Sequence, residues 1–286
     1  MNVRFDSPLI SPEWLLPRLD QEACVVLDAS FFLPGQGMDA KSEFLKGHLP
    51  GAQFFDIDEV ADTSSDLPHM LPSASVFAAA VGELGIGPKT PVVIYDQNHF
   101  MASARLWWTF RVFDHQSVYV LDGGIERWKA LGFPLSEGPS KSRLPQDFVA
   151  TLTPGLFRDL ADIRVELERR RYTLVDARPQ GRFQGIDPEP RAGLRQGHIP
   201  GSLNVFFKDV IDLEHKTLKP PSVLSTLFRE KGIDPLSPII TTCGSGVTAA
   251  ILSLALYTIG NERVPVYDGS WAEWGSRTDT PIETGP

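Results

Sequence analysis

One order of short motifs occurs twice along this chain, and no other feature limits its fold as much. Cys24-Val25-Val26-Leu27-Asp28-Ala29 returns as Tyr172-Thr173-Leu174-Val175-Asp176-Ala177-Arg178. Gly47-His48-Leu49-Pro50-Gly51 returns as Gly197-His198-Ile199-Pro200-Gly201, and Asp122-Gly123-Gly124 with Trp128 returns as Asp268-Gly269-Ser270 with Trp274. The offsets are 148, 150 and 146, so the same order recurs at nearly constant spacing. Only two copies occur, which points to two homologous domains rather than a solenoid. Between them, Leu135 to Gly155 carries Pro139, Pro145 and Pro154, several serines and little apolar periodicity, a linker signature. The expected division is a domain over 1–138, a linker over 139–156 and a domain over 157–286.

Within each copy, short apolar runs alternate with helical patterns. In the second copy, Thr173–Asp176, Pro238–Thr242 and Val264–Tyr267 read as buried strands. Ser222–Lys231 and Val247–Ile259 read as helices, each followed by a glycine suited to a C-cap, Gly232 and Gly260. The first copy repeats this with strands Val25–Asp28, Pro91–Tyr95 and Ser117–Leu121 and helices Ser75–Leu84 and Ser103–Phe113. Strands joined through helices imply a parallel sheet covered by helices on both faces, so each domain is expected to be α/β.

Composition excludes several classes. With 42% hydrophobic and 22% charged residues, the chain has ample material for a core and is not disordered or collagen-like. A net charge of −9 and no run of Lys/Arg argue against nucleic acid held by phosphate neutralisation. Met1 to Pro12 has one Arg and no apolar core of a secretory signal, and Ala249–Ile259 is about half a membrane span, so no membrane association is expected. Two cysteines make no disulfide scaffold, which with the absent targeting signal suggests a soluble, cytoplasmic protein. Residues 1–154 hold 11 basic and 19 acidic side chains against 16 and 17 in 155–286. The second copy, at −1 rather than −8, is the better host for an anionic substrate.

Chemistry concentrates in Thr242-Cys243-Gly244-Ser245-Gly246-Val247-Thr248, between a strand and a helix. In parallel sheets ligands bind beyond the carboxyl ends of strands. A thiol there faces a helix N-terminus whose free N–H groups and dipole favour thiolate over thiol. The glycines let successive N–H groups turn inward as an anion-binding nest. Cys24 precedes Val25-Val26-Leu27 and reads as core. A phosphatase-type cradle needs an arginine six residues after the cysteine, where this chain has Ala249. Gly244-Ser245-Gly246-Val247-Thr248-Ala249 also fits a dinucleotide fingerprint, with Asp268 about 20 residues on. Its place near the C-terminus leaves no room for the remaining strands of such a fold. Offset 147 puts Asp96 where the first copy would carry the cysteine, and a carboxylate is no sulfur nucleophile, so the first domain reads as catalytically silent.

At these residues the chain resembles the rhodanese superfamily of tandem-domain sulfurtransferases over nearly its whole length. The cysteine loop looks like that of the members that use 3-mercaptopyruvate. Members that use thiosulfate typically carry basic residues just after the cysteine, whereas Gly244-Ser245-Gly246 is uncharged. The resemblance implies two rhodanese-like domains and transfer of a sulfane sulfur through a Cys243 persulfide, with pyruvate released and no metal or organic cofactor. The acceptor would be cyanide or a thiol, thioredoxin among them. A thiosulfate sulfurtransferase, or a non-catalytic sulfur carrier or binding module on the same fold, are the alternatives.

The resemblance also assigns residues. Arg182 and Arg191 match the pair that binds the substrate carboxylate and carbonyl, and they bracket a segment stiffened by Pro188 and Pro190. Arg178 and Arg195 are the alternatives for that clamp. Gly244, Gly246, Val247 and Thr248 line the nest, and Asp58, His69 and Ser245 would form a proton relay. His48 and His198, kept in both copies, read as structural, and Trp107, Trp108, Trp128 and Trp274 as core.

Overall fold

The computed structural model describes residues 7–19, 23–32 and 36–286. The chain forms two compact units. The first comprises Met1–Asp62, Pro72–Thr153 and Leu213–Leu218, the second Thr63–Leu71, Pro154–Asp212 and Lys219–Pro286. Each half of the sequence thus lends a short segment to the unit built by the other half, which contiguous boundaries do not capture. The Met1–Pro12 reading falls partly outside the described residues; Pro12 opens a helix, Pro12–Leu19. Among the described residues no helix is long and apolar enough to cross a membrane.

Each unit is built on a five-stranded parallel sheet, and the two sheets share one strand order. In the first, the order across the sheet is Leu9–Ile10, Val118–Leu121, Val92–Tyr95, Val25–Asp28 and Gln53–Phe54. In the second it is Phe157–Arg158, Val266–Tyr267, Ile239–Thr242, Thr173–Asp176 and Leu203–Asn204. This order differs from that of the doubly wound dinucleotide-binding sheet, which removes the structural basis for that rival. The central strands are fully buried runs such as Val92-Val93-Ile94-Tyr95 and Ile239-Ile240-Thr241-Thr242, as strands covered on both faces must be. Observed strand ends fall within two residues of the expected ones, and the helices are Ala74–Glu83, Met101–Val112, Pro221–Glu230 and Ala249–Ile259.

The helix after each central strand lies deepest. Ala249 through Leu256 are all buried, because a helix that is apolar around most of its circumference has no face to give to water; Ala102 through Val112 are buried too, with the Arg105 and Arg111 guanidiniums laid over the Trp108 and Trp107 rings. Trp107, Trp108, Trp128 and Trp274 are buried in the cores as expected, with Trp128 and Trp274 donating their ring N–H to the Pro134 and Pro281 carbonyls at 2.8 Å. The expected linker is no loose tether over its first part. Phe148 packs edge-on against Phe77 and Phe110, and the Thr153 N–H donates to the Val112 carbonyl at 2.7 Å. One aromatic residue inside a proline-rich stretch is enough to bind it to the first unit.

Candidate active site

Strand pairing fixes the surroundings of the cysteine loop. Thr242 lies in register with Asp176, and the Ala177 N–H donates to the Thr242 carbonyl at 2.8 Å, so the turn after Asp176 runs beside Cys243. On the other side, the Trp271 N–H donates to the Cys243 carbonyl at 2.9 Å and the Ala272 N–H to that of Gly244 at 2.8 Å. The Cys243 N–H donates to Ser270 Oγ at 3.2 Å. Ser270 holds φ +49, where the first copy has Gly124 at +53. A left-handed backbone is costly for a serine, and here its hydroxyl anchors the cysteine backbone. Cys243 itself is buried. Gly246 takes φ +75, the conformation for which the sequence offers a glycine. The helix Ala249–Ile259 starts directly after this loop with Thr248 at its N-cap. The N–H groups of Ser245, Val247 and Ala249 find no acceptor among the described residues. They are the uncommitted donors that an anion at this helix end would meet.

Arginines crowd the same sheet edge. Arg178 is buried, and its guanidinium donates to both Asp176 oxygens (2.7–3.1 Å), to the Gly197 carbonyl (2.8 Å) and to Glu189 Oε1 (2.7 Å). It also lies 4.3 Å over the Trp271 ring. Burial opposes its charge, but Asp176 and Glu189 outweigh that and hold the Arg178 proton more firmly than in an ordinary arginine. With every edge engaged, Arg178 is a fixed part of the frame. Arg195 is likewise committed, to the carbonyls of Trp274, Gly275 and Thr280. Arg182 differs. Its Nε and Nη2 donate to Glu189 Oε2, its Nη1 has no partner among the described residues, and Nη2 lies 3.3 Å from where a Cβ on Gly244 would stand. Of the two arginines assigned to the substrate, Arg182 therefore reaches the cysteine loop. Arg191 follows two residues after Glu189, half-buried, with no hydrogen bond or ion pair among the described residues.

His69 belongs to the segment Thr63–Leu71, which is part of the unit that holds Cys243. It is buried, with φ +60, and two residues later the Leu71 N–H donates to Asp268 Oδ2 at 2.7 Å. Asp268, the carboxylate that the dinucleotide reading would need for a ribose, is thus engaged with the backbone. Asp58 lies in the other unit, exposed, with its N–H held by Asp56 Oδ1 at 2.8 Å. His48 and His198 donate Nδ1–H to the Phe44 and Phe183 carbonyls at 2.9 and 2.8 Å and stack on those rings, the structural role read for them. Cys24 sits in the first core, where burial pushes its thiol up to about 11, so it stays protonated.

Two participants escaped the sequence. Glu189, buried between Pro188 and Pro190, bridges Arg178 and Arg182; an acidic residue between the arginines was its signal. Ser270 was marked only by the break in the repeat, serine where the first copy has Gly124.

The first copy shows what its loop does without a cysteine. Asp96 Oδ1 accepts the N–H groups of Asn98 and Phe100 at 3.2 and 3.1 Å, and Oδ2 those of Ala102 and Ser103 at 3.1 and 2.8 Å. Four backbone donors converge on one buried carboxylate, at the start of Met101–Val112.

Comparison with known proteins gives this geometry its context. A model of the rhodanese-like domain matches residues 11–131 and again 159–277. The human protein named 3-mercaptopyruvate sulfurtransferase is 45% identical over 276 residues, 94% of this chain and 92% of its own length. The Arabidopsis thaliana protein named thiosulfate/3-mercaptopyruvate sulfurtransferase 1, mitochondrial, is 38% identical over 99% of this chain and 80% of its own. Among solved structures, SseA from Escherichia coli, described as a 3-mercaptopyruvate sulfotransferase of the rhodanese fold, superposes with a TM-score of 0.84 at 35% identity, covering 93% of this chain and 99% of its own.

Proposed function

The chain belongs to the rhodanese-like domain family, two copies in tandem, and from that premise we propose that it is a 3-mercaptopyruvate sulfurtransferase working through Cys243. The observation that carries this reading is the Cys243 loop itself, a thiol at a helix end with uncommitted N–H donors and the Arg182 guanidinium against Gly244.

In this reading the Cys243 thiolate attacks the donor sulfur. The carbon–sulfur bond breaks, its electron pair passes to the carbon next to the donor carbonyl, and the enolate formed is protonated to pyruvate. Arg182 and Arg191 hold the carboxylate and carbonyl, so the charge that grows on the enolate oxygen meets a cation already in place. Cys243 keeps the sulfur as a persulfide, whose outer sulfur is an anion for the N–H groups of Ser245, Val247 and Ala249. Gly244, Gly246 and Thr248 shape that nest. Asp58, His69 and Ser245 are the groups that the family resemblance assigns to moving the proton. A second thiophile, cyanide or a thiol such as that of thioredoxin, then takes the sulfur. Both cysteines are free, and we place the protein in the cytoplasm as part of this reading.

Intact-mass measurement after incubation with mercaptopyruvate tests the reading. The expected result is a gain of one sulfur atom that is absent in Cys243→Ser and kept in Cys24→Ser. No adduct on the wild-type protein refutes it. The plant relative's name covers two donors, so turnover with thiosulfate belongs beside this measurement, and a clear preference for thiosulfate overturns the donor assignment.

A further inference from the structure

The carboxylate of Glu189 is buried, with its side chain 2% exposed, and it spends both oxygens on arginines. Oε1 takes Arg178, which Asp176, the Gly197 carbonyl and the Trp271 ring already hold in place. Oε2 takes the Nε/Nη2 edge of Arg182. Arg178 therefore fixes Glu189, and Glu189 fixes Arg182, leaving Nη1 of Arg182 as its free edge. The same chain of contacts decides the charge. Arg178 and Arg182 stand against Asp176 and Glu189, so the linked guanidiniums and carboxylates offset one another. Arg191 has no counter-ion among the described residues.

We propose that Glu189 is a positioning and specificity-determining residue: it aims Arg182 at the cysteine loop and offsets the Arg182 charge there, so that the site prefers a monoanionic sulfur donor to a dianionic one. The proposal rests on the sulfurtransferase reading of Cys243. Its physical basis is that discrimination between ligands is a difference of affinities. An unneutralised guanidinium near the loop would favour the second charge of a dianion, and a buried carboxylate removes that advantage. The Nε and Nη2 donors of Arg182 converge on the one oxygen Oε2, and two N–H groups held at one point fix the direction of that guanidinium edge.

The test compares persulfide formation from mercaptopyruvate and from thiosulfate in the full-length protein, as kcat/KM for each donor together with intact mass. Glu189→Gln keeps the shape and removes one negative charge. The expected result is a rise in the thiosulfate-to-mercaptopyruvate ratio of about tenfold, with the KM for mercaptopyruvate raised more than its kcat is lowered. Glu189→Asp keeps the charge on a shorter arm, so the ratio stays at the wild-type value while KM rises for both donors. Where Glu189→Gln alone does not fold, Glu189→Asp carries the test through its KM values. An unchanged ratio in folded Glu189→Gln, an equal shift of the ratio in Glu189→Asp, or unchanged KM values in Glu189→Asp overturns the role of Glu189 and leaves the sulfurtransferase reading standing. No added sulfur on the wild-type protein from either donor overturns that reading, and this proposal with it.

Discussion

The loops after Val92–Tyr95 and after Ile239–Thr242 occupy equivalent places in two sheets of identical strand order, yet they settle the same electrostatic problem differently. Both end a strand and open a buried helix, so both present backbone N–H groups that the helix cannot use. In the first unit Asp96 answers with its own carboxylate and takes the N–H groups of Asn98, Phe100, Ala102 and Ser103. In the second, Cys243 stands at the Asp96 position. At offset 147 the counterparts of three of those donors, Ser245, Val247 and Ala249, have no acceptor among the described residues. A carboxylate oxygen lies two bonds beyond Cβ, and so does the outer sulfur of a persulfide. Asp96 thus offers a built-in acceptor, its carboxyl pushed up by burial against the pull of those N–H groups, where, in the proposed function, Cys243 carries a transient anion. The first loop stabilises its unit; the second leaves its donors for chemistry.

The neighbouring pair repeats the lesson. Asp28 and Asp176 both accept the N–H of the residue two places on, at 2.8 and 2.9 Å. That residue is Ser30 in the first unit and Arg178 in the second, whose guanidinium folds back on Asp176. Burial without an arginine pushes the Asp28 carboxyl up to about 6.

The comparison is open to three breaks. The largest effect is expected from Cys243→Asp, which gives the second loop the occupant of the first. Sulfur transfer should fall by about 10⁴-fold or more, because the nucleophile is gone. The melting temperature should hold or rise, because the loop donors gain an acceptor. Calorimetry beside the activity assay reads both, and a large drop in melting temperature would show that the two loops are not equivalent cradles.

Next, Asp96→Ala should cost the first unit about 4 kcal/mol, since four buried N–H groups lose their acceptor together. Urea unfolding followed by tryptophan fluorescence measures this, and a loss below about 1 kcal/mol would mean that the carboxylate is incidental.

The smallest effect concerns pH. Asp28 and Asp122 are both pushed up to about 6, chiefly by burial. A carboxyl whose folded value is raised contributes stability that is complete below its unfolded value, near pH 4, and lost as pH rises through about 6. The first unit should therefore become more stable as pH falls from 7 to 5, with Asp28 alone contributing roughly 3 kcal/mol over its full range. Asp28→Asn should flatten that slope in urea titrations at pH 5, 6 and 7; an unchanged slope would remove Asp28 as its origin.

Much of this was legible in the chain. The duplicated motifs give two α/β units, and the apolar runs give the central strands within two residues, because a strand covered on both faces must be apolar throughout. Cys243 was legible because a thiol flanked by glycines, between a strand and a helix, stands where parallel sheets bind their ligands. Trp128, Trp274 and both repeat histidines kept the structural roles that their presence in both copies implied.

What the sequence could not supply were the links between segments distant along it. Only the family resemblance, through His69, tied Thr63–Leu71 to the second unit; the residues themselves gave no reason, since a backbone N–H reaching Asp268 leaves no trace in the residues that supply it. Apart from the resemblance, which chose Arg182 and Arg191, nothing in the residues separated four arginines within 18 residues. Arg178 and Arg195 differ from Arg182 and Arg191 only in how many carbonyls and carboxylates the folded chain brings to them. Sequence alone determined the fold class and the repeat and singled out Cys243, because these follow from periodicity and local position. Which charges are cancelled and which remain for a substrate was decided by the tertiary structure alone, because the strength of an ion pair depends on distance and burial, and neither is a property of a residue by itself.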